Sequence, residues 1–180
     1  MSGYFFNRRR FMALAGVASV ALSLPALAVP TGWVVSQVST DGLDVGLYQT
    51  GPEEGRPVIL LHGEGDDIQR FADIAPVLAA QGFRVLVPYL RGHGSTRVID
   101  SAAASPAGDA VLGQDVLDLM NALHIPEAVL AGYGLGGRAA TAAATIRPGR
   151  CVGLVSVNAP PPPAFAEVAA LLVRTSAWRT

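Results

Sequence analysis

The chain has 180 residues, 51% of them hydrophobic and only 15% charged, with a formal net charge of −1. That is the composition of one globular domain; it excludes a disordered chain and the basic surface a nucleic-acid binder needs. All 13 basic residues are arginine, and a single cysteine excludes an internal disulfide.

The first 28 residues read as a leader. Arg8-Arg9-Arg10 is followed by Phe11 and by an apolar run from Ala13 to Leu24, then Pro25 and the small-residue site Ala26-Leu27-Ala28. A positive end, a short apolar stretch and small residues at a cleavage point are the order of an export signal, and the arginine pair resembles a bacterial twin-arginine signal. A dozen apolar residues are too few to cross ~30 Å of hydrocarbon. Cleavage after Ala28 would leave residues 29–180 as an exported, periplasmic or extracellular domain with no stable membrane span. Losing three arginines and no acid takes its net charge to −4.

The domain then begins with two alternating runs, Trp33 to Ser39 and Leu43 to Gln49, joined by Thr40-Asp41-Gly42, a hairpin signal. Val58 to Leu61 is apolar without alternation, as a strand covered on both faces would be. Similar runs fall at Arg84 to Pro88, Ala128 to Ala131 and Val152 to Val157. Between them, Phe71 to Gln81 carries Phe71, Ile74, Ala75 and Leu78 at helical spacing. Val111 to Leu123 carries Val111, Val116, Leu119, Met120 and Leu123. Arg138 to Ile146 is a helix of small residues, and Ser101 to Gly108 a loop. Buried strands alternating with helices predict an α/β fold with a mostly parallel sheet and helices on both faces. Its chemistry belongs at the carboxyl ends of the strands, after Leu61, Pro88, Ala131 and Val157.

Those ends carry glycine: His62-Gly63-Glu64-Gly65, then Arg91-Gly92-His93-Gly94, then Gly132-Tyr133-Gly134-Leu135-Gly136-Gly137. With "LLHG", "PYLRGHGSTR", "AGYGLGGRAA" and "RCVGLVSVN" in this order, residues 33–158 resemble the α/β-hydrolase superfamily, and within it the epoxide-hydrolase and haloalkane-dehalogenase-like branch. The resemblance implies an eight-stranded fold with a nucleophile on a strand-to-helix elbow, a histidine and an acid. About six of those strands are expected here, and residues 159–180, opening on four prolines, depart from the pattern.

The nucleophile's place on the elbow falls on Gly134, between the flanking Gly132 and Gly136. Glycine cannot attack carbon, so the family's covalent route is closed to it. Tyr133 is expected to point elsewhere, and Ser156 to bond backbone. By the same resemblance the oxyanion donors are the backbone N–H groups of Glu64 and Leu135, with the Glu64 carboxylate opposing an anion. His62, Gly63 and His93 are read as pocket loops, with both histidines structural. His124 lies at the amino end of the following strand, Asp66 and Asp67 cap a helix starting near Gln69, and Cys151 sits at the wrong edge for catalysis.

No cofactor and no metal site is expected, since three histidines lack a cysteine or carboxylate cluster at ligand spacing. The partner expected is a small molecule rather than nucleic acid. The sequence therefore predicts a hydrolase of epoxide, carbon–halogen or ester bonds by family, inactive as this chain. The alternatives are a non-catalytic small-molecule-binding relative, or a fragment of a longer hydrolase.

Overall fold

A computed structural model of the chain describes residues 33–99 and 108–157. The leader, most of the 101–108 loop, Asn158 and the proline-rich tail lie outside the described residues.

The expected hairpin forms from β1 (Val35–Ser39) and β2 (Leu43–Thr50), antiparallel with Val38 opposite Val45. Next come β3 (Arg56–Leu61), a 3-10 turn (Ile68–Phe71), α1 (Ile74–Ala80) and β4 (Phe83–Pro88). They are followed by a two-residue β5 (Arg97–Val98), α2 (Asp109–Ala122), β6 (Ala128–Tyr133), α3 (Leu135–Ile146) and β7 (Cys151–Val157). The sheet runs β1-β2-β4-β3-β6-β7, with β5 against β2. β4, β3, β6 and β7 are mutually parallel, so this is the mostly parallel, helix-covered α/β sheet predicted.

The apolar run of β3 works on two faces. Ile59 and Leu61 join Leu86, Leu112, Met120 and Leu130 under α2 and α3, while Val58 and Leu60 join Val85, Val87 and Ile68 under α1. Small residues let α3 lie close to its neighbours. A Cβ on Gly113 of α2 would come within 2.7 Å of Ala142 Cβ and the Ala143 amide, so the two helices touch backbone to backbone.

Several boundaries and faces differ from the sequence expectation. The first helix is split: Asp67 caps the 3-10 turn, the chain breaks at Ala72-Asp73, and α1 restarts at Ile74 with Pro76 in its first turn, where a missing N–H costs nothing. The restart rotates Ile74 outward, to 49% exposure, so it leaves the expected buried face. In α2, Leu112 and Leu117 are buried although the expected stripe omits them, and Val111 is only half-buried. α3 begins at Leu135, three residues early, because the elbow itself starts it. β7 is not covered on both faces: Val155 and Val157 are exposed at 53% and 50%.

Geometry of the candidate active site

From β3 the chain crosses one way through α1 to β4, then back through α2 to β6 on the other side. The carboxyl ends of β3 and β6 therefore flank the point where the winding reverses, where a parallel sheet opens a crevice. An open hollow of about 370 Å³ lies there, lined by Gly63, Glu64, Asp66, Tyr133, Gly134, Leu135 and Arg138.

Gly134 turns β6 into α3 with φ 52° and ψ −119°, a conformation glycine adopts at little cost and other residues only under strain. Its N–H donates to the Val157 carbonyl (2.9 Å) and its carbonyl accepts from the Arg138 N–H (3.0 Å), so neighbouring strand and helix both hold the turn. A Cβ built on Gly134 would meet only the Gly63 Cα, at 3.8 Å. The space where a side chain at this position would stand is thus open.

The flanking glycines have a steric cause. A Cβ on Gly136 would lie 2.1 Å from the Leu61 carbonyl oxygen, and one on Gly132 would lie 2.5 Å from the Gly136 carbonyl carbon. α3 therefore starts almost in contact with the ends of β3 and β6. Glu64 and Leu135 both line the hollow. As the first residue of α3, Leu135 has an N–H with no acceptor inside the helix, and α3 aims its positive end there. The Glu64 side chain is exposed at the rim.

His62 is fully buried. Its Nε2 accepts from the Leu90 N–H (3.1 Å), which leaves Nδ1 protonated and donating to the Gly63 carbonyl (2.9 Å). It ties the loop after β3 to the loop after β4, and its ring packs edge-on against His93, 4.9 Å between centroids. His93 Nδ1 in turn lies 3.0 Å from the Arg91 carbonyl. Burial holds the His62 imidazole below its ordinary value, with the Gly63 bond opposing and His93 adding to the shift. A group kept neutral in the fold takes up its proton only on unfolding, so stability is full above about pH 6.5 and falls as acid protonates the unfolded state. The melting temperature should drop between about pH 7 and pH 5.5, and His62→Gln should flatten that part of the profile; an equal slope in the variant would assign it to other groups.

Two expectations change at this site. Tyr133 does not point away: its ring lies across Gly63, where a Cβ would come within 2.5 Å of it, and its hydroxyl donates to Asp66 Oδ2 at 2.8 Å. Asp66 is therefore not a cap; it accepts from Tyr133 and faces Arg70 at 3.5 Å, while Asp67 alone caps, accepting from the Gln69 N–H at 2.7 Å. Ser156 Oγ donates to the Gly137 carbonyl (3.2 Å), on the face of β7 toward α3. Cys151 is buried at the start of β7, where burial pushes its thiol up and away from the reactive thiolate. His124 is exposed just beyond α2, away from the hollow.

Sequence reasoning missed Arg138 and the Arg91–Asp115 pair. Arg138 lines the hollow one turn into α3 and is held by Asp109 of α2, with Nε at 2.8 Å from Oδ1. Arg91 sits in the loop after β4 and grips Asp115 of α2 with two nitrogens, at 2.8 and 2.6 Å. Both residues lie in quoted motifs, but their acids lie 29 and 24 positions away, beyond any local pattern. Among the described residues there is no cluster of metal-ligating side chains and no helix long and apolar enough to cross a membrane.

Residues 56–176 match the family signature described as alpha/beta hydrolase fold. The chain is similar to a solved candidate epoxide hydrolase from Klebsiella pneumoniae, with 39% identity, a TM-score of 0.66, and cover of 76% of this chain and 48% of that one. It is 28% identical over 124 residues to an epoxide hydrolase of Caballeronia sordidicola, covering 68% of this chain and 36% of the relative. It is also 37% identical over 108 residues to the dihydrolipoyllysine-residue acetyltransferase component of the Pseudomonas putida acetoin cleaving system, covering 59% and 28%. The chain spans about a third of the length of these curated relatives and just under half of the solved one.

Proposed function

We propose a function from one premise: this chain belongs to the alpha/beta hydrolase fold family. The reading is a protein that holds a small oxygen-bearing molecule in the elbow hollow without turning it over by the family's covalent route. One observation carries it. The residue on the elbow is Gly134, in the strained turn that would present a nucleophile, with open space where the side chain would stand.

The rest of the hollow supports binding more than reaction. The Leu135 N–H at the head of α3 offers a donor to a carbonyl or epoxide oxygen, and the Tyr133 hydroxyl offers an oxygen to a ligand donor. Neither Tyr133 nor Ser156 replaces the missing group, because a nucleophile needs a base in contact with it. The Tyr133 hydroxyl is committed to Asp66, whose carboxylate also faces Arg70. The Ser156 proton goes to a backbone carbonyl. His62 spends both ring nitrogens on backbone.

A second reading assigns this stretch to a hydrolase of epoxide, carbon–halogen or ester bonds, and the likeness to epoxide hydrolases supports it. Export belongs to both readings, on the strength of Arg8-Arg9-Arg10 and Ala26-Leu27-Ala28, and the form to assay is the one beginning at Val29. That protein should release p-nitrophenol from p-nitrophenyl acetate and diol from styrene oxide no faster than a blank. Gly134→Ser should stay at the blank rate too, for want of a base at the elbow. Turnover by the wild type would select the second reading, and turnover by the variant alone would show that a base stands there after all.

A further inference from the structure

Resting on the binding reading above, we propose that the elbow hollow takes a small zwitterion, with a carboxylate at one end and an ammonium group at the other, held between Arg138 and Glu64. Both side chains line the hollow, together with Asp66 and Tyr133. They come from different elements: Arg138 stands on α3, whereas Glu64 and Asp66 belong to the loop after β3. Arg138 is anchored at Asp109 of α2 through Nε and Nη2, and Asp66 at the Tyr133 hydroxyl, so one charge on each wall is fixed in place. Among the described residues Glu64 forms no ion pair. The Asp109 bond above all, and the Glu64 charge in smaller part, hold the Arg138 guanidinium above its ordinary value, so the two walls act on each other across the hollow.

Opposed charges select against either ion alone. A carboxylate drawn to Arg138 meets Glu64 and Asp66, and an ammonium ion drawn to Glu64 meets Arg138; a molecule with both ends turns each repulsion into an attraction. A neutral ligand gains only hydrogen bonds that water also makes. The hydrogen-bonding groups run the same way. On the α3 side the guanidinium and the Leu135 N–H donate, and on the side of the β3 loop the Glu64 carboxylate and the Tyr133 oxygen accept. With about 370 Å³, the hollow has room for a chain of a few carbons. Because Glu64 and Arg138 are both exposed to solvent, each ion pair should add only about threefold to affinity.

Amide chemical shifts of the chain beginning at Val29, followed at constant ionic strength, test this. The probes are glycine, β-alanine and γ-aminobutyrate, set against propionate, propylamine and propanamide. At least one zwitterion should move the Glu64 and Leu135 amides and bind about fivefold or more tightly than each of the other three. Glu64→Gln, a change at the exposed rim, should weaken that zwitterion about threefold and tighten propionate, opposite signs that a general loosening of the hollow would not give. Arg138→Gln should weaken the zwitterion and tighten propylamine. Propanamide binding as tightly as the zwitterions would overturn the proposal and leave the binding reading standing, and so would a Glu64→Gln variant that loses every probe alike. No shift at the hollow with any probe would overturn both.

Discussion

Gly136→Ala should lower the unfolding free energy by about 3 kcal/mol, the upper part of the usual range for overpacking. The added methyl would stand 2.1 Å from the Leu61 carbonyl oxygen, 2.4 Å from its carbon and 2.6 Å from the His62 carbonyl oxygen. All three are backbone atoms at the end of a central strand, so no side-chain rotation relieves the clash. The start of α3 must move away from β3, and that also widens the hollow. A thermal melt should show a fall of about 10 °C for a domain of this size. Gly134→Ala is the control, two residues away. Its methyl meets only the Gly63 Cα at 3.8 Å, so it should cost only the strain of a positive φ, about 1–2 kcal/mol. Equal costs for the two variants would show that α3 does not press on β3 as described.

The second large effect lies in the loop after β4. Arg91→Met should cost about 3–5 kcal/mol at neutral pH, the scale for removing one partner of a buried ion pair. The Arg91 and Asp115 side chains are 9% and 14% exposed, and burial already pushes the Asp115 carboxyl up even with the guanidinium beside it. Without that cation the carboxylate would be left in an apolar surround of Val116, Leu119 and Leu90. Protonation relieves it, so the cost should shrink as pH falls. Urea unfolding at two pH values checks the sign. The double variant Arg91→Met, Asp115→Leu should recover most of the loss, since an apolar pair of similar volume replaces a buried ion pair at little cost. A single variant with the stability of the wild type would mean that solvent already screens the pair.

Much of this fold was legible because its signals are local. The Asp41-Gly42 turn sits between alternating runs, and the unbroken apolar run at Val58–Leu61 divides its side chains between two cores as a doubly covered strand must. The same signal misleads at β7, since an apolar run looks alike in the middle of a sheet and at its edge, where Val155 and Val157 remain exposed. β5 has two residues and no periodicity to read. Ile74 obeys helical spacing with Phe71, but the break at Ala72-Asp73 separates the two, and spacing does not carry across a break. At the site, the strand-to-helix turn at Gly134 was readable from three glycines in sequence. The Tyr133–Asp66 bond, between residues 67 positions apart, was not, because only the parallel pairing of β3 with β6 brings those two loops together.

With glycine at position 134, the elbow has no side chain to form a bond to substrate, and the intact mass of the protein reports on that directly. The chain beginning at Val29 would be mixed with excess p-nitrophenyl acetate, quenched in acid within the first seconds, and weighed. The mass should stay unchanged, with no burst of p-nitrophenol, because Gly134 has nothing to acylate. An acetyl adduct that forms in those first seconds, decays with turnover, and maps by peptide digestion to Tyr133, Ser156 or any other residue lining the hollow would contradict it.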